Sequence, residues 1–332
     1  MSLSSATLGL VAAVAFLPAS AVAAEAEAPL TLEQTIALDN VSGRIDHMAL
    51  DVARKRLFVA ELGNGTVEVV DLQAGKVAGR ISNLSEPQGV AYIPDQDLIA
   101  VASAGDGSVR FYHAADMKPA KTIALGDDAD NIRIDPAKGN ILVGYGHGGL
   151  AIIDPKTQAK IADVRLPGHP ESFQVDSESN RAFVNVPNAH QVVVADLEAD
   201  KQAAAWGTAG LGSNFPMALG GPGEPLAVVF RNPPTLAVLN LATGGMAEKL
   251  GVCGDADDVF FDAKRRRFYV SCGEGAIDVV AYAPGLERIA RVPTSKGART
   301  SIYAPQLDRL YVAARAGLLG SRAAILVFRP SP

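Results

Sequence analysis

The chain has 332 residues, of which 48% are hydrophobic and 20% are charged, so it can bury a large core and is not of the intrinsically disordered class. Its length alone allows one large domain or two ordinary ones. The net charge of −6 and the pI near 5.4 exclude a general attraction to nucleic acid or anionic lipid, which requires clustered Lys and Arg.

The first 23 residues have the pattern of a secretory signal peptide. An apolar stretch runs from Leu8 to Leu17, and Ala21-Val22-Ala23 is the small-x-small pattern that signal peptidase recognises. No Lys or Arg precedes the apolar stretch, so a short membrane anchor is the alternative, although the stretch is too short to span a bilayer comfortably. We predict residues 1–23 as a signal peptide, residues 24–30 as a short linker, and a periplasmic or secreted protein with no membrane span after signal cleavage.

A pattern of an apolar strand opened by polar residues begins at residue 44 and recurs at intervals of about 42 residues. The seven copies are RIDHMALD (44–51), PQGVAYIP (87–94), ADNIRIDP (129–136), PESFQVDS (170–177), NFPMALGG (214–221), ADDVFFDA (256–263) and ARTSIYAP (298–305). This period is typical of the blades of a β-propeller.

Each copy is followed by further apolar runs, separated by turn residues. The first copy continues as RLFVAEL (56–62), VEVVDL (67–72) and VAGRIS (77–82). Four short strands in this order make one antiparallel blade. We therefore predict an all-β fold, in which residues 31–330 form a single seven-bladed β-propeller with four-stranded antiparallel blades.

The seventh copy has a third strand, ILVFRP (325–330), but no fourth strand follows it. The segment TLEQTIAL (31–38) precedes the first copy and has the pattern of a strand. We predict that this N-terminal strand adds to the last blade as its outermost strand. Such closure removes the exposed strand edges that promote aggregation.

The repeat resembles the YVTN-repeat, YncE-like β-propeller family. The resemblance lies in the apolar first strand, in second strands such as LFVA (57–60) and FYVS (268–271), and in third strands such as VEVVDL (67–72). It covers nearly the whole chain after residue 30 and implies a propeller fold. It is a poor guide to activity, because propellers include lactonases, dehydrogenase subunits, ligand-binding proteins and DNA-binding proteins.

In an antiparallel blade, the loop into the first strand and the loop from the second to the third strand lie on the same face. The residues at the mouths of the seven first strands are Asp46, Gln88, Asp130, Glu171, Phe215, Asp257 and Arg299. Four carboxylates directed towards one axis repel strongly unless a cation, Arg299 or bound protons compensate. We predict a cation site or a proton-active site at this face, and a wide, water-filled channel is the alternative.

Four of the five histidines also belong to the loops or strand ends of this face. They are His47, His147, His169 and His190. His47 lies directly beside Asp46, whereas His169 precedes Pro170-Glu171 and is more simply interpreted as a cap of its strand. The grouping weakly indicates that this face is the functional one.

We predict Asp46, Asp130, Glu171 and Asp257 as ligands of a divalent cation, and His47, Gln88, Asn131 and Arg299 as ligand-binding residues. Carboxylates suit Ca²⁺, whereas histidine would favour Zn²⁺. The set resembles the axial metal site of gluconolactonase-like propellers, which implies that a metal would polarise a lactone carbonyl. It departs from those proteins in having seven blades rather than six, and Asn131 lies one position after Asp130.

The two cysteines fall at strand ends that antiparallel pairing brings together. Cys253 precedes the first strand of the sixth repeat, and Cys272 ends its second strand. An exported protein meets oxidising conditions, so we predict a disulfide between them, with two free thiols as the alternative. No Cys-x-x-Cys-His motif occurs in the sequence, so no haem of the covalently attached c type is expected.

Three functional hypotheses follow. The first is an exported binding or accessory propeller that holds a small molecule, a metal or another periplasmic protein on its axial face. The second is a metal-dependent hydrolase of the lactonase type. The third is binding of single-stranded DNA, which requires stacking aromatic side chains beside basic ones. The single Trp and the acidic charge make nucleic acid an unfavourable partner.

Overall fold

A computed structural model describes residue 1 and residues 28–221, 223–317 and 320–332. In these ranges the chain forms seven four-stranded antiparallel sheets, which are the blades of a propeller. The all-β, seven-bladed fold predicted from the repeat is confirmed. Apart from Met1 and residues 28–30, the predicted signal peptide and linker lie outside the described residues.

The blades follow the repeats in chain order, and within each blade the first strand of the repeat lies nearest the axis and the others follow outwards. Blade 1 contains β2 (Met48–Asp51), β3 (Arg56–Glu61), β4 (Thr66–Asp71) and β5 (Lys76–Ile81), and blade 2 contains β6 (Pro87–Ile93), β7 (Leu98–Ser103), β8 (Ser108–His113) and β9 (Pro119–Ala124). Blade 3 contains β10 (Ala129–Ile134), β11 (Ile141–Tyr145), β12 (Gly149–Asp154) and β13 (Ala159–Arg165), and blade 4 contains β14 (Phe173–Asp176), β15 (Arg181–Val186), β16 (Gln191–Asp196) and β17 (Lys201–Gly207).

The remaining blades have the same organisation. Blade 5 contains β18 (Gly212–Leu219), β19 (Leu226–Asn232), β20 (Pro234–Leu239) and β21 (Met246–Gly251), and blade 6 contains β22 (Ala256–Asp262), β23 (Arg267–Cys272), β24 (Ala276–Tyr282) and β25 (Leu286–Pro293). Blade 7 contains β26 (Thr300–Ala304), β27 (Arg309–Ala314), β28 (Ala323–Pro330) and β1 (Leu30–Leu38). Short 3-10 helices occur at Leu62–Asn64, Pro94–Gln96 and Pro187–Ala189.

The N-terminal strand closes the ring, as predicted. β1 pairs antiparallel with β28, from Leu30 opposite Pro330 to Leu38 opposite Ala323. Ile36 and Leu38 are only 1% exposed and belong to the core cluster shared by blades 1 and 7. The innermost strand of blade 7, β26, in turn lies against β2 of blade 1.

The core lies between the blades, and β3 shows why the second strands are continuously apolar. Successive side chains of a strand point to opposite faces of its sheet. Leu57 and Val59 pack in the cluster shared with blade 7, whereas Phe58 and Ala60 pack in the cluster shared with blade 2. Because every blade is covered on both faces, both sets of positions must be apolar.

The innermost strands all run in the same direction along the axis. We call the face at which they begin the upper face and the face at which they end the lower face. Cys253 and Cys272 form a disulfide at the upper face, with their Cα atoms 5.8 Å apart, so the predicted bond is confirmed. Among the described residues, no helix combines the length and apolar character needed to cross a lipid bilayer.

Candidate functional site

A small cavity, which we call the upper cavity, lies where the innermost strands begin. Its walls are formed by Arg44, Asp46, His47, Asp130, Asn131, Glu171, Ser172, Phe215 and Asp257. All four carboxylates predicted from the strand mouths therefore line one cavity. Its volume of about 20 Å³ is enough for about one water molecule or one small ion.

Asp46 is held at the cavity wall by its backbone and by an arginine. Its N–H donates to the carbonyl of Ala60 at 2.8 Å, and Arg44 Nη2 lies 2.7 Å from its Oδ2. Burial raises the pKa of Asp46 well above its usual range; Arg44 opposes this rise, while the charges of Asp130 and Asp257 add to it. The Asp46 carboxyl therefore retains a proton more readily than an ordinary aspartic acid.

Asp130 lies between two histidines. His47 Nε2 is 3.7 Å from one carboxylate oxygen, and His169 Nε2 is 3.9 Å from the other. Burial would raise the pKa of Asp130, but its interaction with His169 and the charge of His47 hold that pKa below its ordinary value. Asp130 is therefore the anionic centre of the cluster.

His169 is fixed as the partner of Asp130 by the backbone. Its Nδ1 lies 2.6 Å from the carbonyl oxygen of Gly146, to which a protonated ring donates. Burial alone would lower the pKa of His169, but Asp130 and the Gly146 carbonyl raise it to about 9. His169 therefore does more than cap a strand, because it supplies positive charge beside Asp130.

Two arginines neutralise Asp257. Arg231 bonds one of its carboxylate oxygens through Nη2, and Arg299 Nε lies 3.1 Å from the other. The Arg231 guanidinium stacks 4.0 Å from the centre of the Phe215 ring and donates from Nε to the Ala256 carbonyl at 2.7 Å. Phe215 is thus a platform for a cation, which explains an aromatic residue among charged ones.

Glu171 has no such arginine within ion-pair distance among the described residues. Its N–H donates to the Asn185 carbonyl at 2.9 Å, which holds the residue at the cavity. Burial raises the pKa of Glu171 to about 8, and the charges of Asp130 and Asp257 contribute to this rise. A carboxyl group that titrates near neutral pH inside a cavity is a common feature of functional sites.

Three buried oxygen atoms of the cavity residues lack hydrogen-bond partners among the described residues: Oδ2 of Asp46, Oδ1 of Asp130 and Oδ1 of Asn131. Asp46 Oδ2 lies within ion-pair distance of Arg44, which leaves the oxygens of Asp130 and Asn131, whose residues are 5% and 2% exposed. Buried polar atoms are nearly always hydrogen-bonded to protein or water. The pair of oxygens therefore indicates a place for a bound donor or cation.

The remaining predicted ligand-binding residues have different positions. Gln88 contributes its backbone carbonyl, which accepts a hydrogen bond from the His47 N–H at 3.3 Å. Arg299 also contacts Asp255 at 2.7 Å, so its guanidinium joins two carboxylates. The sequence reasoning missed Arg44, which lies in the same stretch as Asp46, and Arg231, which lies near the end of β19 and reaches the site only through the fold.

The metal assignment of the four carboxylates stays a prediction. Across the part of the chain that the structure describes, no group of three or more His, Cys, Asp or Glu side chains is arranged to hold a metal ion. The carboxylates lie on one cavity, but arginines and histidines already compensate much of their charge. The two unpartnered oxygens are the observation that still favours a cation.

Comparison with known proteins adds no relative. No protein-family model matches this sequence, and no curated protein matches it significantly. The resemblance to the YVTN-repeat, YncE-like family therefore stays a prediction, whereas the seven-bladed propeller that it implies is present.

Proposed function

We propose that this protein is an exported binding propeller that holds a divalent cation, or the cationic group of a small ligand, in the upper cavity. The observation that carries the proposal is the pair of unpartnered Oδ1 atoms of Asp130 and Asn131 at a cavity of one-ion size. An unsatisfied buried acceptor is unfavourable, and a cation in the cavity that both residues line would supply the missing interaction. Oxygen donors suit Ca²⁺, and the neighbouring His47 would suit Zn²⁺.

The residues around this position would divide the work of binding. Asp130 and Asn131 would contact the cation, and Asp46 and Glu171 would add charge as they lose their protons, because a nearby cation favours the charged form of a carboxyl group. Asp257 is already paired with Arg231 and Arg299, so we assign it a structural role in the cavity wall rather than contact with the cation.

Thermal unfolding after EDTA treatment, with Ca²⁺ or Zn²⁺ then added, tests this proposal. A ligand that binds only the folded state stabilises it by about 2.7 kcal/mol at a hundred times its Kd, so the melting temperature should rise. Asn131→Ala and Asp130→Asn should weaken this response. Asp127→Asn is the matched control, because its side chain is exposed at the same face. The proposal is wrong if neither cation nor a small ammonium ligand stabilises the unsubstituted protein.

Export and family membership belong to the same proposal. The disulfide and the pattern of residues 1–23 support an oxidising destination, and the repeat supports membership of the YVTN-repeat, YncE-like family. Mass spectrometry of the periplasmic fraction should find a chain that starts near Ala24. Soluble cytoplasmic protein that retains Met1 would contradict export.

A lactonase-type hydrolase is the second candidate, and Glu171 favours it. A carboxyl group with a pKa of about 8 can act as a general acid or base near neutral pH, and a bound cation would polarise a lactone carbonyl. Hydrolysis of a simple sugar lactone, followed by acid release, should then need the cation and be lost in Glu171→Gln. DNA binding gains no such support, because Trp206 stacks on Phe183 at 5.5 Å within a blade.

A further inference from the structure

A second cavity of about 490 Å³ lies on the propeller axis below the upper cavity; we call it the lower cavity. One residue from every innermost strand lines it at the same level, and each pairs with the residue nine positions later, as Ala49 does with Phe58 and Arg133 with Leu142. These seven positions are equivalent in the repeat. The lower cavity is therefore a central chamber rather than a gap between two blades.

Small side chains create this chamber. Three of the seven equivalent positions are occupied by Ala49, Ala91 and Ala218, whose side chains cannot reach the axis. Towards the lower face the walls include the aromatic residues Phe261 and Tyr303. The lining also includes Pro305 and Gln306, which follow β26 and are both exposed, so the chamber opens at the lower face.

Among the described residues that line the lower cavity, Arg133 is the one with a Lys or Arg side chain. Its Nη1 donates to the carbonyl of Ile132 at 2.8 Å, and its guanidinium lies 5.7 Å from the centre of the Phe173 ring. In the described ranges of the chain, no carboxylate forms an ion pair with it, although Asp258 and Asp130 interact with its charge over a longer distance, and the other N–H groups of the guanidinium have no hydrogen-bond acceptor. Asp258, the carboxylate in the same wall, instead accepts from the Ser301 N–H at 2.7 Å. A guanidinium has five donors, so most of the binding capacity of Arg133 is unused.

We propose that the lower cavity binds a small organic anion with an apolar body, such as a medium-chain carboxylate, whose charged group pairs with Arg133. A guanidinium recognises a carboxylate through two parallel hydrogen bonds. The apolar part of the ligand would lie along the aromatic and aliphatic walls, where its removal from water favours binding. The volume of the chamber is within the usual range for small-molecule sites.

Isothermal titration calorimetry with decanoate and decanol, below the concentration at which decanoate forms micelles, tests the proposal. The two probes share an apolar chain and differ in charge. We expect decanoate to bind about tenfold or more tightly than decanol, because only decanoate pairs with the guanidinium. EDTA in the buffer keeps the upper cavity free of divalent cations, so the result does not depend on the proposed function.

Arg133→Gln should weaken decanoate binding about tenfold or more and leave decanol binding nearly unchanged. Arg181→Gln is the matched control, because it removes the same charge from an exposed position at the lower end of β15. Ala218→Leu should block both probes by filling the chamber. Circular dichroism establishes that each variant is folded.

Three results would overturn the proposal. They are no binding of decanoate to the unsubstituted protein, equal binding of decanoate and decanol, and an unchanged decanoate affinity in folded Arg133→Gln. If Arg133→Gln does not fold, the comparison of the two probes on the unsubstituted protein decides the matter.

Discussion

The upper and lower cavities lie on one axis and are lined largely by the same innermost strands, yet their chemistry is opposite. The upper cavity is small and surrounded by carboxylates, a histidine and an arginine, whereas the lower cavity is large and mostly apolar. Each residue at the level of Ala49 and Arg133 comes three positions after the strand-mouth residue of the same blade, as Ala49 does after Asp46 and Arg133 after Asp130. In this propeller, whether the side chains that face the axis are charged or apolar depends more on their level along the axis than on the blade to which they belong.

His47 connects the two regions, since it lines both cavities. Above it, Asp130 is compensated by histidine and Asp257 by arginine. Below it, Arg133 has no ion-pair partner in the described ranges. Most of the charges of the upper region are therefore paired with one another, whereas in the lower region Arg133 and Asp258 lie in one wall without forming an ion pair.

Ring closure supports both cavities, so its loss should have the largest effect. Deletion of residues 30–38 removes β1 and exposes the edge of β28, with its unpaired backbone groups. We expect loss of cooperative unfolding, or aggregation, together with loss of ligand binding at both levels. Circular dichroism during heating and light scattering measure these outcomes.

Single substitutions in β1 test whether the packing of this strand stabilises the ring, without shortening the chain. Ile36→Ala, at a position that is 1% exposed, should lower the free energy of unfolding by about 2–5 kcal/mol. Leu32→Ala, at a position that is 50% exposed, should change it by about 0.5 kcal/mol or less. A deletion variant that melts like the full chain would show that β1 is not needed for closure.

The disulfide should have the next largest effect, and mainly at the upper level. It closes a loop with a sequence separation of 19 residues, and such a loop contributes about 3 kcal/mol. The variant in which Cys253 and Cys272 are both Ala should lose about this stability and bind cations less well, while it retains decanoate binding once folded. Equilibrium denaturation measures the first effect.

Reduction of the unsubstituted protein provides the matched comparison. It breaks the same bond without changing side-chain volume, so any further loss of stability in the double Ala variant measures the packing lost with the two buried sulfur atoms. An unchanged midpoint after complete reduction would show that the bond contributes nothing to stability.

The fold was predictable because the repeat is regular. The apolar runs, their period of about 42 residues and the missing fourth strand of the last repeat together predicted the blades and the closure by β1. Cys253 and Cys272 were predictable for the same reason, because strand order alone brings them to one face. These features depend on backbone topology, which the repeated pattern determines.

The site was predictable only in part, because side-chain contacts between blades are not encoded at fixed spacings. The strand mouths identified Asp46 and Asp130, but nothing in the sequence indicated that Arg231 would stack on Phe215. The lower cavity was missed because alanine is an ordinary strand residue. The space that these alanines leave is recognised only when the equivalent positions of all seven innermost strands are compared around the axis.

Titration of the upper cluster should make the stability of the protein depend on pH. Glu171 has a pKa of about 8 in the folded protein against an ordinary value of 4.5, so the folded state binds a proton that the unfolded state releases. Its favourable contribution is complete below pH about 4.5 and is lost as the pH rises through 8. His169, with a pKa raised from 6.5 to about 9, acts in the same direction from pH 6.5 to 9.

The melting temperature in EDTA should therefore fall between pH 5 and pH 9. Glu171→Gln should remove the contribution of Glu171, which is lost between pH 5 and 8, and leave the contribution of His169, which is lost between pH 6.5 and 9. Glu198→Gln, in the exposed turn after β16, is the control and should retain the full profile. Superimposable profiles of the unsubstituted protein and Glu171→Gln would contradict the assignment.

The smallest effect is expected from His147, and it sharpens the contrast between upper-face residues that belong to the site and those that do not. The sequence places His47 and His147 on the same face, but the His147 side chain is 98% exposed and approaches only Asp127, at 3.6 Å. An exposed ion pair of this kind contributes little to stability. We therefore expect His147→Ala to leave the melting temperature and the cation response unchanged, whereas His47→Gln should alter the cation response, because His47 lies 3.7 Å from both Asp46 and Asp130. If His147→Ala weakened the response as much as His47→Gln does, the binding site would have to extend over the exposed loops rather than lie in the upper cavity.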